Sequence, residues 1–169
     1  MAEWRIVNVR EGEWWDRGPR GSVTDLVGDD DAQVGVNLFV LEPGQPMSMY
    51  HWETDQEGFL VLGGEALLVV EDEERPLRQW DYFHCPPNVP HTIVGAGSGP
   101  CAILALGARE NIHRERWGGY PYSEVAMKHD ASVEEETMEP KVAYARFPSR
   151  QPGAYRSSNQ ATASRRRER

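Results

Sequence analysis

An all-β sandwich or barrel is the fold class this sequence predicts. Short runs rich in β-branched and aromatic residues recur at intervals of roughly ten residues. Each run is bounded by Gly, Pro or Asn, which turn a chain rather than extend it. No stretch with helical spacing appears before Tyr122. The 169 residues, 39% hydrophobic and 27% charged, suffice for one buried core with flanking arms.

In chain order, residues 1–32 read as a polar N-terminal arm with one candidate strand, Trp4–Val9, and an acidic loop at Gly28-Asp29-Asp30-Asp31. Gln33–Leu41 (QVGVNLFVL) is the first strong strand, and Glu42-Pro43-Gly44-Gln45-Pro46 stops it. Met47–Trp52, Gly58–Leu62 and Ala66–Glu71 follow, the last two separated by Gly63-Gly64. Asp72-Glu73-Glu74 reads as a hairpin tip. Pro76–Trp80, Tyr82–Cys85, His91–Val94 and Cys101–Gly107 complete a β core predicted over residues 33–107. Residues 108–149 form an extension expected to pack on the barrel or on a dimer partner, with a short helix at Ser123–His129 capped by Ser123. Residues 150–169 are poor in apolar side chains and rich in Ser, Gln and Arg, so a disordered basic tail is expected there.

Charge is unevenly spread. The net charge is −9, yet residues 150–169 hold six Arg and one Glu, which leaves −14 on the rest. An acidic body excludes nucleic acid as a natural partner and suits a protein that holds a cation. The chain contains no run of 18 apolar residues, so no helical membrane span is predicted. Its first residues lack the apolar stretch of a secretory signal, and the expected location is cytoplasmic. Cys85 and Cys101 lie in apolar runs without C-x-x-C spacing, where a free cysteine acts as a small hydrophobe.

Of the five histidines, three fall in the β core, and two of these, His51 and His91, carry the chemistry. Side chains alternate along a strand, so His51 and Glu53 share a face. Glu57 opens the next strand, and His91 follows the stiff turn Pro86-Pro87-Asn88-Val89-Pro90. If these strands are walls of one barrel, His51, Glu53, Glu57 and His91 converge on its interior. Two imidazoles and one or two carboxylates make a divalent metal site with open positions. Gln56 is a further candidate for the place of Glu53. His84 alternates with Phe83 and Cys85 and is expected to face outward, and His113 and His129 to lie on the surface. Phe39, Met47, Met49, Phe59, Phe83 and Ile93 are expected in the core or lining a pocket. Trp4, Trp14, Trp15, Trp117 and Tyr120 are expected to wrap the barrel or its twin. Gly63-Gly64 has neither Lys nor helix start behind it and is not read as a phosphate loop.

The stretch Gly44…His51-Trp52-Glu53-Thr54-Asp55-Gln56-Glu57…Gly64 resembles the first sequence motif of the cupin superfamily: a Gly, two His one residue apart, a Glu, then a Gly seven residues on. Trp80-Asp81…Pro86-Pro87-Asn88-Val89-Pro90-His91 resembles the second, Gly-Asp…Pro-x-Gly-x-x-His. The resemblance implies a small single-domain bacterial cupin, a double-stranded β-helix or jelly-roll barrel with little helix. It also implies one divalent metal ion (zinc, iron, manganese, nickel or copper) on His51, Glu57 and His91. The departures are specific. Glu53 stands where the family has its second His, Trp80 and Asn88 replace motif glycines, and Gly95 stands where an Asn is frequent. Asn tolerates positive φ, so the turn at Asn88 is expected to survive. Two functions follow from the resemblance. One is a metal-dependent enzyme of oxygenase or isomerase type, acting on a small molecule inside the barrel. The other is a non-catalytic module that binds sugar or another small ligand, with a structural metal or none. A homodimer is expected in either case.

Overall fold

The computed structural model describes residues 4–28 and 32–156, and its strands build the predicted jelly-roll barrel. The core strands are β3 (Val34–Leu41), β5 (Glu57–Gly63), β6 (Glu65–Val70), β7 (Glu73–Arg78), β8 (Tyr82–Cys85), β9 (His91–Ala96) and β10 (Cys101–Ala108). The arms add β1 (Trp14–Asp16), β2 (Ser22–Asp25), β11 (Gly118–Gly119) and β12 (Gln151–Gly153), and the short β4 (Trp52–Glu53) lies within the barrel segment.

One wall is a seven-stranded antiparallel sheet ordered β12-β1-β2-β3-β10-β5-β8. The facing wall is β7-β6-β9, continued past β9 by the bridges Pro46–Val94 and His51–His91. Leu41, Phe59, Cys85, Cys101 and Ile103 of the first wall meet Ala66, Leu68 and Ile93 of the second in one apolar cluster. Period-2 alternation produces this: Cys101, Ile103 and Ala105 of β10 point inward, and the residues between them are less buried. Gly64 joins β5 to β6 at φ 76°, where an added Cβ would lie 2.5 Å from the Pro100 carbonyl oxygen. Only glycine fits there.

Several expectations need correction. Trp4–Val9 is irregular rather than a strand, and Trp4 is 83% exposed. The arm instead contributes β1 and β2, which carry the first wall outward beyond β3. The hairpin tip lies at Glu71-Asp72, both at positive φ, and β7 begins at Glu73. β7 was hard to read because it is an edge strand, almost wholly exposed. Its charges and Pro76 suit an unpaired edge, so no apolar alternation marks it. The tail expected to be disordered from residue 150 starts with β12, whose Gln151–Gly153 pair with Asp16–Trp14 of β1. Tyr155 then meets the buried Trp14 edge-on at 5.7 Å. The rest of that segment, 157–169, lies outside the described residues.

The extension folds back on its own chain. Ser123 caps α1 (Glu124–Met127), its Oγ accepting a 3.0 Å bond from the Ala126 amide. Ala126 and Ala131 pack on Tyr50 and Val69. Near α2 (Pro140–Ala143), Ala143, Tyr144 and Phe147 close over Met49 and Tyr120.

Candidate metal centre

Backbone pairing sets the site. The His51 and His91 amides and carbonyls bond reciprocally, at 3.1 and 2.8 Å, which places the two imidazoles side by side with centroids 4.9 Å apart. Glu57 enters from the other wall at the start of β5, opposite Cys85 of β8. One ligand atom from each of His51, Glu57 and His91 falls within a sphere of mutual distances no greater than 4.8 Å. His91 Nε2 is 3.4 Å from a Glu57 oxygen, and His51 Nε2 is 3.4 Å from Glu53 Oε1. Two donors each roughly 2.1 Å from a tetrahedral ion stand roughly 3.4 Å apart, so the His91–Glu57 spacing needs little adjustment.

The tautomers follow from the partners. His51 Nδ1 lies 2.8 Å from the Met49 carbonyl and His91 Nδ1 3.1 Å from that of Val89. A carbonyl only accepts, so each Nδ1 carries the proton and each Nε2 presents a lone pair. Cys85 Sγ is a second neighbour of His91 Nδ1, at 3.3 Å. Its thiol is pushed up to about 12 by burial and nearby carboxylates, so it stays protonated. His91 has no exposed surface, and its Nε2 is buried without a hydrogen-bond partner. A polar atom orphaned in this way is costly unless a ligand completes it.

Protonation equilibria at the site are set by burial and by the crowding of carboxylates and imidazoles. Burial, and then His51, push His91 down to about 3, so it is neutral at physiological pH despite lying near Glu57. Burial, then the Glu53 charge, push Glu57 up to about 7, against an opposing pull from His51. Burial also opposes charge on His51, but Glu53 and Glu57 outweigh it and the net direction is upward. Excess negative charge is thus relieved by protons that a divalent ion would displace.

The site opens on a cavity of ≈ 340 Å³ whose wall includes His51, Glu53 and Glu57, but not His91. Phe39, Met47 and Phe59 form apolar wall. Met49, Phe83 and Ile93 do not line it. Met49 turns toward Tyr120 and Val133 under the extension, Ile93 is fully buried between the sheets, and Phe83 packs on the core beside His91. Glu53 stands next to the three-residue group without joining it, and Gln56 is not in the wall. His84 is exposed, as is His113, while His129 is half-buried and bonds Glu74 at 2.7 Å.

The arms supply wall residues that strand patterning did not find, Arg17, Arg109, Trp117, Tyr120 and Tyr144, and core strand β3 adds Asn37. Trp117 and Tyr120 belong to the aromatic set expected to wrap the barrel or its twin, but Arg17 and Tyr144 carry no local signal that would bring them here. Arg17 is almost fully buried, and burial, then the neighbouring Arg20, pull its guanidinium down to about 9.

The family model for the cupin domain matches residues 37–107. An uncharacterised protein of Methanocaldococcus jannaschii is 24% identical over 76 residues, 45% of this chain and 61% of that protein. A sugar phosphate isomerase of the cupin superfamily from Silicibacter pomeroyi is 28% identical, with a TM-score of 0.49 over 60% of this chain and 62% of its own. A cupin protein from Bacteroides fragilis, 16% identical, superposes at a TM-score of 0.53 over 65% of this chain and 87% of its own, which shows the shared fold. The chain thus spans less than two thirds of the length of the first two of these relatives.

Proposed function

With a small cupin barrel as the premise, we propose that this chain is a metal-dependent enzyme acting on a small organic molecule within the ≈ 340 Å³ cavity. The observation that carries the reading is the orphaned, fully buried Nε2 of His91 beside Glu57 and His51. His91 offers a neutral lone pair, His51 offers one once its extra proton leaves, and Glu57 offers charge. Such a mixed set suits zinc, iron, manganese, nickel or copper better than an all-oxygen set would. When bound, the ion polarises a carbonyl or acidifies a hydroxyl at its open positions. Phe39, Phe59 and Met47 exclude water from the cavity wall. Glu53, beside His51, accepts a hydrogen bond or a proton from whatever occupies the remaining positions.

The experiment is elemental analysis of protein purified without a nickel column, followed by X-ray absorption at the edge of the metal found. We expect about one divalent ion per chain with three protein donors and exchangeable water. Four protein donors including Glu53, with no water, would instead support a non-catalytic binding module. Absence of metal from every preparation, with none taken up on addition, would end the metal reading.

The same reading includes a homodimer. Of the aromatic residues expected at its interface, Trp14 and Tyr120 are buried within the chain. Among the described residues the exposed aromatics are Trp4, Trp80, Tyr82 and Tyr122, and two of them, Trp80 and Tyr82, lie just before and at the start of the edge strand β8 of the large wall. An open edge flanked by aromatic surface favours pairing. Light scattering is expected to give about twice the 19.1 kDa chain mass.

A further inference from the structure

We propose that the molecule taken into this cavity is an organic anion whose carboxylate or phosphate group is held by Arg17, with Arg20 close behind. The proposal names the substrate class of the site described above and rests on that reading of the cavity.

Arg17 is only 8% exposed, and among the described residues no carboxylate pairs with it. Its Nη1 donates to the Met47 carbonyl at 2.9 Å and its Nη2 to that of Arg20, while the Phe39 ring lies 4.8 Å from the guanidinium centre. These contacts use two of five N–H groups and fix the plane of the fork. They supply no negative charge. The Nε of Arg17 is buried with no partner, and so is the Nε of Arg20. A rigid, buried, uncompensated guanidinium is costly unless an anion joins it, and its fork matches carboxylate and phosphate.

A second, independent feature points the same way. An adjoining groove shares Arg17, Asn37, Phe39 and Tyr144 with the cavity. Its wall also contains Arg20, Lys141 and Arg150 and no acidic side chain. Arg20 is held over the Tyr144 ring at 4.5 Å and Arg150 over Trp15 at 4.4 Å. On a chain of net charge −9, four cations in one groove without a carboxylate form a local positive field that draws anions inward. The same cavity wall carries Arg17 and the metal-site residues His51 and Glu57, so a ligand with an anionic head and a neutral, metal-seeking end finds complementary groups for both in one cavity.

The test is calorimetric titration of the full chain, treated with chelator, with benzoate, phenyl phosphate and the neutral benzamide. Chelation removes the metal as a competing partner for the anion. We expect benzoate or phenyl phosphate to bind at least roughly tenfold more tightly than benzamide, the scale of a charge-assisted hydrogen bond. Whichever anion wins identifies the head group. Arg17→Gln is expected to abolish that preference and Arg17→Lys to weaken it, with zinc uptake unchanged in both. Equal binding of all three probes, or an anion preference that survives Arg17→Gln, overturns the proposal. If Arg17→Gln does not fold, a crystal of the wild type with the preferred anion decides: a head group on Arg17 supports the proposal, and one placed elsewhere overturns it. Zinc uptake is read separately, so loss of the metal reading and loss of the anion reading are distinguishable.

Discussion

The two chemical regions of the cavity wall are built by different means. The His51, Glu57 and His91 region is made by strands and bridges whose partners lie on facing walls of one barrel. The Arg17 region is made by an arm: Arg17 sits before a 3-10 turn (Gly18–Arg20), and Tyr144 arrives from the far end of the chain. The first region carries negative charge relieved by protons, and the second carries positive charge relieved by nothing described. A barrel supplies position through its ladder, so a few residues at set spacings suffice. An arm supplies position through short ladders of two to four residue pairs and through side-chain contacts from distant parts of the chain.

The largest expected effect separates the two regions. Removing a direct ligand in His91→Ala or His51→Ala should weaken zinc binding by more than about a hundredfold, beyond what loss of an outer neighbour costs. Glu53→Ala should do much less, because water can fill its place, and Arg17→Gln should do nothing to zinc. Competition with a fluorescent chelator measures all four. Full zinc occupancy in both histidine variants would move the site elsewhere.

Next in size is the dependence on pH. Zinc must displace the protons held by Glu57, near 7, and by His51, whose pKa is also raised. Affinity should therefore fall as pH drops below about 7, by roughly tenfold per unit for each proton displaced. His91, near 3, adds nothing to that slope above pH 4. In the metal-free chain the two groups act on stability in opposite senses. His91 is depressed, so its contribution is present above its ordinary 6.5 and is lost as pH falls toward 3. Glu57 is raised, so its contribution is present below its ordinary 4.5 and is lost as pH rises through 7. Between pH 4.5 and 6.5 these nearly cancel. In Glu57→Gln only the His91 slope remains, and stability should rise by about 1 kcal/mol per pH unit across that window. Urea unfolding at four pH values checks it, and a flat profile for the variant would contradict the assignment.

The same division governs what the sequence made legible. Most barrel strands announced themselves because each has one buried face, and strand spacing together with the resemblance to the cupin motifs pointed to His51, Glu57 and His91, which the structure brings together. Edge strand β7 was found only in its second half, as Pro76–Trp80, and arm strands β1, β2 and β12 were missed. β7 buries neither face, and the arm strands are three or four residues long, too short for a period to show. Arg17 was missed for another reason. Its importance lies in who its neighbours are, and Met47, Phe39 and Tyr144 are 22 to 127 residues away in the chain.

A chain ended at Arg150 tests whether the arm region depends on its late partners. It would lose β12 and the Tyr155 ring that covers Trp14. The expected cost is about 1–3 kcal/mol, from three ladder pairs and one aromatic contact. Calorimetry should show a melting temperature several degrees lower with zinc uptake intact. An unchanged melting temperature would mean that the arm holds its place without the strand.

The smallest expected effect lies in the barrel and concerns a motif position. Trp80 stands where the resembling motif has glycine, and its φ is 75°, in the left-handed region that a Cβ disfavours. Asn88, at the other replaced glycine, has φ 66°, but Asn visits that region readily. The backbone therefore keeps the turns that glycine would make, although the side chains changed. At Trp80 the indole gives little in return within the chain, being 67% exposed. Trp80→Gly should relieve about 1–2 kcal/mol of backbone strain, offset by about 1 kcal/mol from the greater freedom of a glycine-containing unfolded chain. The net expectation is a change between zero and about +1 kcal/mol, against the loss that trimming a packed Trp brings. Asn88→Gly should change stability by less. A loss above about 2 kcal/mol in Trp80→Gly, measured in dilute protein, would show that the indole is covered. Concentration dependence of that loss would identify the cover as a second copy of the chain at the β8 edge, and its absence would place the cover within one chain.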